Sequence, residues 1–442
     1  MRYCQYLKNM RAYVPMTKTA FITNFFKLYN LIWKLALPFL KRNPRLRQGF
    51  EKRISSSHLS SADIWVQAAS AGEAYLAVVL LLHLKPRTPL KILVTTTTSQ
   101  GMEILKSELT DERLSQDIDL KIDWFPFDMP DAISAAVRTI QPKIMILLET
   151  EIWPGLLYCL KKRNTKILMI NARMSKKSFS RYQKARILLK HLAPDLILAI
   201  SDLDRKRFKK IFNASKIKTM PNIKFESIET DSSSFDPGRD KINEILPIPL
   251  PLTVLASIRR QEEKQVFLIL KKILKLFPYQ VVAVFPRHMN RIPYWEKKLS
   301  YLNLKFYLRS DLSSPLTTPG VILWDVLGEL KTTCEFAMVV FVGGSLKPLG
   351  GQNVIEPAVQ GAVTITGPYC EDFVWAAEDM IEKGFLLQKK TWKAIAETIV
   401  KTLEHPANRE YQRALVQNHI QSKKGGARLA CDEIIKAFDL IR

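Results

Sequence analysis

Residues 343–358 read Gly343-Gly344-Ser345-Leu346-Lys347-Pro348-Leu349-Gly350-Gly351-Gln352-Asn353-Val354-Ile355-Glu356-Pro357-Ala358. The apolar run Met338–Val342 leads into them with the length and β-branching of a buried strand. Two glycine pairs follow, then a segment able to start a helix. Pro357 suits the first turn of that helix, where its missing N–H costs little. Glycines let a backbone approach a ligand closely, and a helix N-terminus offers N–H groups to an anion. Strand, Gly-rich turn and helix are the parts of a phosphate site at the end of a parallel sheet, with Glu356 within reach of a ribose. The spacing fits neither the dinucleotide nor the P-loop pattern, so a plain connecting turn is an equal reading of the stretch alone.

Working outward, strands and helices alternate on both sides. Ahead of the turn, strands are predicted at Leu252–Ala256, Gln280–Phe285 and Val321–Trp324, with helices at Glu262–Phe277, Tyr294–Leu302 and Glu329–Phe336. Ala362–Thr366 and further helices follow it. The first half reads the same way. Its strands are Ile64–Ala68, Leu90–Thr96, Leu120–Phe125, Ile144–Leu148, Lys166–Ile170 and Asp195–Ile200. Its helices include Glu73–Leu84, Gln100–Glu108, Pro130–Ile140 and Leu156–Lys162, and one long basic helix precedes Asp195. Such alternation argues for α/β domains with parallel sheets. The boundaries read as an N-terminal segment 1–57, a first domain 58–225, a polar Ser-rich linker 226–250 and a second domain 251–442 that includes the closing helices.

A chain of 442 residues exceeds one ordinary core. Against 42 Asp+Glu stand 67 Lys+Arg, a net +25 that implies a polyanionic partner. The five cysteines lack metal spacing and read as reduced thiols. No metal or cofactor is expected. Residues 1–20 show no secretory pattern, and Met16 is a second candidate start. Within residues 21–40, Thr23, Lys27, Asn30 and Lys34 line one helix face, and the rest of the circumference is apolar. Two lysines disfavour a spanning helix, and Lys41, Arg42, Arg45, Arg47, Lys52 and Arg53 follow directly. Residues 21–53 therefore read as an attachment to an anionic membrane surface, the alternative being a core helix and a solvated loop. Lipid is preferred to nucleic acid, which is not expected as a partner.

Ligands of parallel sheets sit beyond the carboxyl ends of the strands. That singles out Glu73 in Ser70–Glu73, Glu149 and Glu151, and Arg173 in the first half. In the second half it singles out Arg259, Arg287 and His288. Glu73 is either a helix-capping carboxylate or a general base. Asp202 and Asp204 read as capping rather than metal-binding.

Together these turns resemble the 3-deoxy-D-manno-octulosonic acid (Kdo) transferases of lipopolysaccharide synthesis. The resemblance is carried by Ala69–Glu73, Pro126–Pro130, Glu149–Pro154, Asn171–Ser175, Asn222–Phe225, Pro286–His288, Gly328–Leu330 and the opening stretch. It implies the GT-B architecture, two Rossmann-like domains facing a cleft, with a membrane-associated N-terminal helix. It also implies inverting transfer of Kdo from CMP-Kdo to a lipid A precursor at the cytoplasmic face of the inner membrane. Under it, Glu73 matches the general base, while Glu149 and Glu151, with Arg173, orient sugar. Arg259, Arg287, His288, Gly343, Gly344, Ser345, Gln352, Asn353 and Glu356 fall on the donor side, with the turn's N–H groups on the phosphate. The sequence departs from the family pattern at Gly155, Pro221, Arg259, Gln261 and Gln352. The readings held beside it are another GT-B enzyme, such as a UDP-sugar transferase or epimerase, and a non-enzymatic basic binding protein.

Overall fold

The computed structural model describes residues 18–212, 215–229, 237–246 and 251–441. Met16 and the Ser-rich centre of the expected linker lie outside the described residues. The first seven strands are β1 (Ile64–Ala68), β2 (Leu90–Thr96), β3 (Ile118–Trp124), β4 (Ile144–Leu148), β5 (Lys166–Ala172), β6 (Leu196–Ala199) and β7 (Lys216–Thr219). They form one parallel sheet in the order β3-β2-β1-β4-β5-β6-β7. The second set is β8 (Leu252–Ile258), β9 (Val281–Pro286), β10 (Phe306–Leu308), β11 (Gly320–Leu323), β12 (Ala337–Val342), β13 (Val363–Thr366) and β14 (Leu386–Gln388). Their order is β10-β11-β9-β8-β12-β13-β14, again parallel. Helices cover both faces, so the central strands are almost wholly buried; β1 and β4 are buried throughout.

The chain divides into two compact units, 1–227 with 423–442, and 228–422. This differs from the sequence-based boundaries in two places. The closing helix Gly426–Asp439 joins the first unit, not the second: Ala427, Ala430, Cys431, Ile434 and Phe438 enter the core around β1 and helix Ala71–His83. Its start is fixed by Glu226, whose Oε1 accepts from Gly425 N at 2.6 Å. In the expected linker, Pro237–Ile245 is a helix that buries Ile242 and Ile245. The expected long basic helix is broken into Lys176–Lys184, Arg186–Leu189 and a 3₁₀ turn.

The N-terminal helix Lys18–Leu40 turns one face inward. Phe26 stacks on Tyr158 at 4.0 Å between ring centroids, and Tyr29 Oη donates to Asp128 Oδ2 at 2.9 Å. Its other apolar face, Phe21, Leu28, Leu31, Ile32, Leu35 and Phe39, is 51–70% exposed. Among the described residues no helix is long and apolar enough to cross a membrane. The basic run that follows is partly consumed by the fold. Arg53 is buried, with Nε donating to Phe125 O and its guanidinium over the Phe127 ring. Lys41 pairs with Glu51 and Lys52 with Asp123.

Candidate active site

The first sheet reverses its winding between β1 and β4, where the strands on either side run off in opposite directions. Helices from the two strands leave on opposite faces there, opening a crevice at the carboxyl ends. Glu73 follows β1, Glu149 and Glu151 follow β4, and Arg173 follows the neighbouring β5. Ser70 caps helix Ala71–His83, and Glu73 completes a capping box: Ser70 N donates to Glu73 Oε2 at 3.0 Å, and Glu73 N donates to Ser70 Oγ. Both sequence readings of Glu73 thus share one geometry, since the box fixes the carboxylate at the strand end.

The three carboxylates act on one another. Burial raises the Glu73 pKa, and the charge of Glu149 raises it further. Burial followed by Glu73 lifts Glu151 to about 8, against the stabilising bond from Trp153 Nε1 at 2.6 Å. Burial and the neighbouring charge thus favour the protonated form of Glu151. Glu149 is balanced instead by Lys224 Nζ at 2.7 Å. Lys224 lies within the Asn222–Phe225 motif, but sequence reasoning gave it no role, because its partner is on another strand end.

The backbone is strained at these ends. Glu149 and Asn171 have φ of 55°, a left-handed value that costs a glutamate about 1–3 kcal/mol. Buried Asn171 holds the motif in place, its Oδ1 accepting from Ile223 N at 2.9 Å. Asp128 fixes the next helix, accepting from Gly155 N and Leu156 N at 2.9 and 2.7 Å. A Cβ at Gly155 would stand 2.5 Å from Asp128 O, so this backbone has no room for a side chain there.

The second sheet reverses between β8 and β12. Arg259 and Arg260 follow β8, Gly343 and Gly344 follow β12, and exposed Arg287 and His288 follow β9. The Gly-rich turn does not keep its N–H groups free as expected. Gly343 N donates to Ala256 O, and Gly344 N and Leu346 N donate to the fully buried Glu262 at 2.5 and 3.2 Å. Glu262 also accepts from Arg259 N at 3.0 Å. Ser345 Oγ donates to Val342 O and accepts from Gly367 N, so it is a strut. Gln352 Nε2 bends back to Gly351 O at 2.7 Å. Asn353 Nδ2 donates to Glu356 Oε1 at 2.7 Å, and Glu356, its pKa raised by burial, opens a helix of only five residues. The expected site residues therefore gather at two strand-end clusters, one in each sheet. At Asp202 and Asp204 the capping reading holds: Ser201 Oγ accepts from Asp204 N at 3.0 Å, and Asp202 pairs with Arg205.

Residues 43–227 match the family described as 3-deoxy-D-manno-octulosonic-acid transferase (kdotransferase). A 3-deoxy-D-manno-octulosonic acid transferase of Haemophilus influenzae is 29% identical over 84% of this chain and 86% of its own length. Over residues 43–227 the chain is similar to the Kdo transferase family, and the relatives extend that similarity across most of its length. A bifunctional glycosyltransferase/methyltransferase of Fusobacterium nucleatum is 28% identical over 86% of this chain, which spans only 59% of that relative. A glycosyltransferase from Rickettsia africae shares the fold, with a TM-score of 0.51 at 12% identity over 87% of this chain and 99% of that one. The two parallel sheets accordingly have the GT-B fold of two Rossmann-like domains. The strand-end carboxylates Glu73, Glu149 and Glu151 lie inside the matched region.

Proposed function

We propose that the chain transfers Kdo from CMP-Kdo to a hydroxyl of a lipid A precursor, lipid IVA, with inversion. The observation that carries this reading is the cluster of Glu73, Glu149 and Glu151 at the first sheet's switch point, within the region similar to the Kdo transferase family. The acceptor oxygen attacks the anomeric carbon of Kdo, and its proton passes to the Glu73 carboxylate. The bond from that carbon to the CMP phosphate oxygen breaks, and CMP leaves with the electron pair. A carboxylate whose pKa is raised is a better base, provided it is ionised. Protonated Glu151 relieves that condition by removing one negative charge from beside Glu73, and its proton can be donated to a sugar oxygen. Glu149, held by Lys224, and Arg173 orient the acceptor.

On the donor side, Arg259, Arg287 and His288 supply cations for the phosphate and the Kdo carboxylate, and Asn353 with Glu356 reaches the ribose. Because the N–H groups of Gly343 and Gly344 are occupied, the glycine turn acts by close approach. Gly344 and Gly350 have φ of 66° and 87°, so both need glycine. The exposed stripe of the N-terminal helix and the charges of residues 21–53 hold the enzyme on an anionic membrane surface, where the acceptor resides. The test is mass analysis of products after incubation with CMP-Kdo and tetra-acylated lipid A precursor. A product heavier by one or more Kdo residues is expected; unchanged precursor contradicts the reading.

A further inference from the structure

A cavity of about 300 Å³ opens between the N-terminal helix and the helices Pro130–Ile140 and Pro154–Lys162. None of the strand-end residues described above lines it. Its apolar wall includes Phe26 and Tyr158, stacked on each other. Three cations reach it from two separate helices: Lys27 from the first, Lys162 and Arg163 from the end of the third. Lys162 Nζ sits 4.4 Å from the Tyr158 ring centroid. The carboxylate lining the cavity, Asp131, is already engaged by Lys34 Nζ at 2.7 Å and Asn30 Nδ2 at 2.8 Å. Cations in the last turn of a helix complement its dipole, which accounts for Lys162. It does not account for Lys27, which converges on the same space from a different element.

The position of the cavity is equally informative. Lys27 stands one turn before Leu31 on the helix surface, so the polar edge lining the cavity borders the exposed stripe. A helix lying in a membrane interface buries its apolar face near the boundary of the headgroups and acyl chains. The cavity mouth would then lie at headgroup depth. We propose that this cavity is a binding site for the phosphate headgroup of an anionic phospholipid, distinct from the sugar-transfer site; the choice of a lipid rests on the membrane reading above. The phosphate would meet Lys27, Lys162 and Arg163, and the glycerol end would lie against Phe26 and Tyr158.

The test uses the full chain and dihexanoyl phosphatidylglycerol below its micelle concentration, with dihexanoyl phosphatidylcholine and inorganic phosphate as separate titrations. The expected result is saturable binding of the anionic lipid, at least tenfold tighter than either of the other two. Lys162→Glu/Arg163→Glu should weaken it at least tenfold, as should Ser134→Trp, which fills the cavity without changing its charge. Equal binding of both lipids, or anionic binding unchanged in both variants, overturns the site. Inorganic phosphate binding as tightly as the lipid overturns the lipid assignment in favour of a free phosphate. Leu35→Glu/Phe39→Glu separates the two readings: it should bind the short-chain lipid normally yet lose phosphatidylglycerol vesicles. Vesicle binding that survives this change overturns the membrane reading whatever the short-chain lipid does.

Discussion

The two sheets carry buried glutamates at equivalent places, the switch points of their winding, and treat them oppositely. Glu262 in the second sheet accepts from the N–H groups of Arg259, Gly344 and Leu346. Glu73 and Glu151 in the first sheet lie within each other's field, and burial raises both pKa values. A carboxylate surrounded by N–H donors is a structural anchor that holds the backbone around it. One surrounded by other carboxylates is held near the point of exchanging a proton. Under the proposed function, proton chemistry belongs to the first unit, while Glu262 in the second holds a rigid turn.

The contrast can be broken most forcefully at Glu262. Glu262→Ala leaves three inward N–H groups without an acceptor, and a loss of about 4 kcal/mol is expected, read by urea unfolding. Loss below 1 kcal/mol would show that the turn does not depend on its anchor.

Glu151 tests the other side with the opposite sign. Its folded pKa of about 8 lies above the ordinary 4.5, so between those values the folded chain keeps a proton that the unfolded chain has lost. Its contribution is most favourable at low pH and declines as pH rises to about 8. Glu151→Gln should therefore stabilise the chain at pH 8.5 by a few kcal/mol, with the gain shrinking toward pH 5. A gain independent of pH would contradict the coupling. Ser70→Ala removes one half of the capping box and should cost about 1 kcal/mol. If it also changes the pH profile of transfer, the cap is shown to position Glu73 as well as the helix.

Much of this was legible in the chain because the central strands are unbroken apolar runs. β1, β2 and β4 fall where their residues predict, since strands covered on both faces need no alternation. The edge strands β7 (KIKT), β10 (FYL) and β14 (LLQ) escaped notice because they are three or four residues long and partly exposed. Post-strand turns revealed the site residues, but not what each side chain touches. Glu262 meets Gly344 across 82 residues of chain, a contact no local pattern encodes. The amphipathic closing helix declares an apolar face without saying which core it fills. Gly155 reads as a departure from the family, yet its contact with Asp128 makes glycine the residue this backbone accepts.

The central claim is that Glu73 takes the acceptor proton. Transfer from CMP-Kdo to lipid IVA should be measured for Glu73→Gln beside the unaltered chain, with CMP-Kdo binding measured in the same samples. Glutamine keeps the size of the side chain and can still accept from Ser70 N. The proposed role predicts unchanged CMP-Kdo binding and a turnover lower by about 10²–10⁴-fold. Transfer within threefold of the unaltered chain would contradict it.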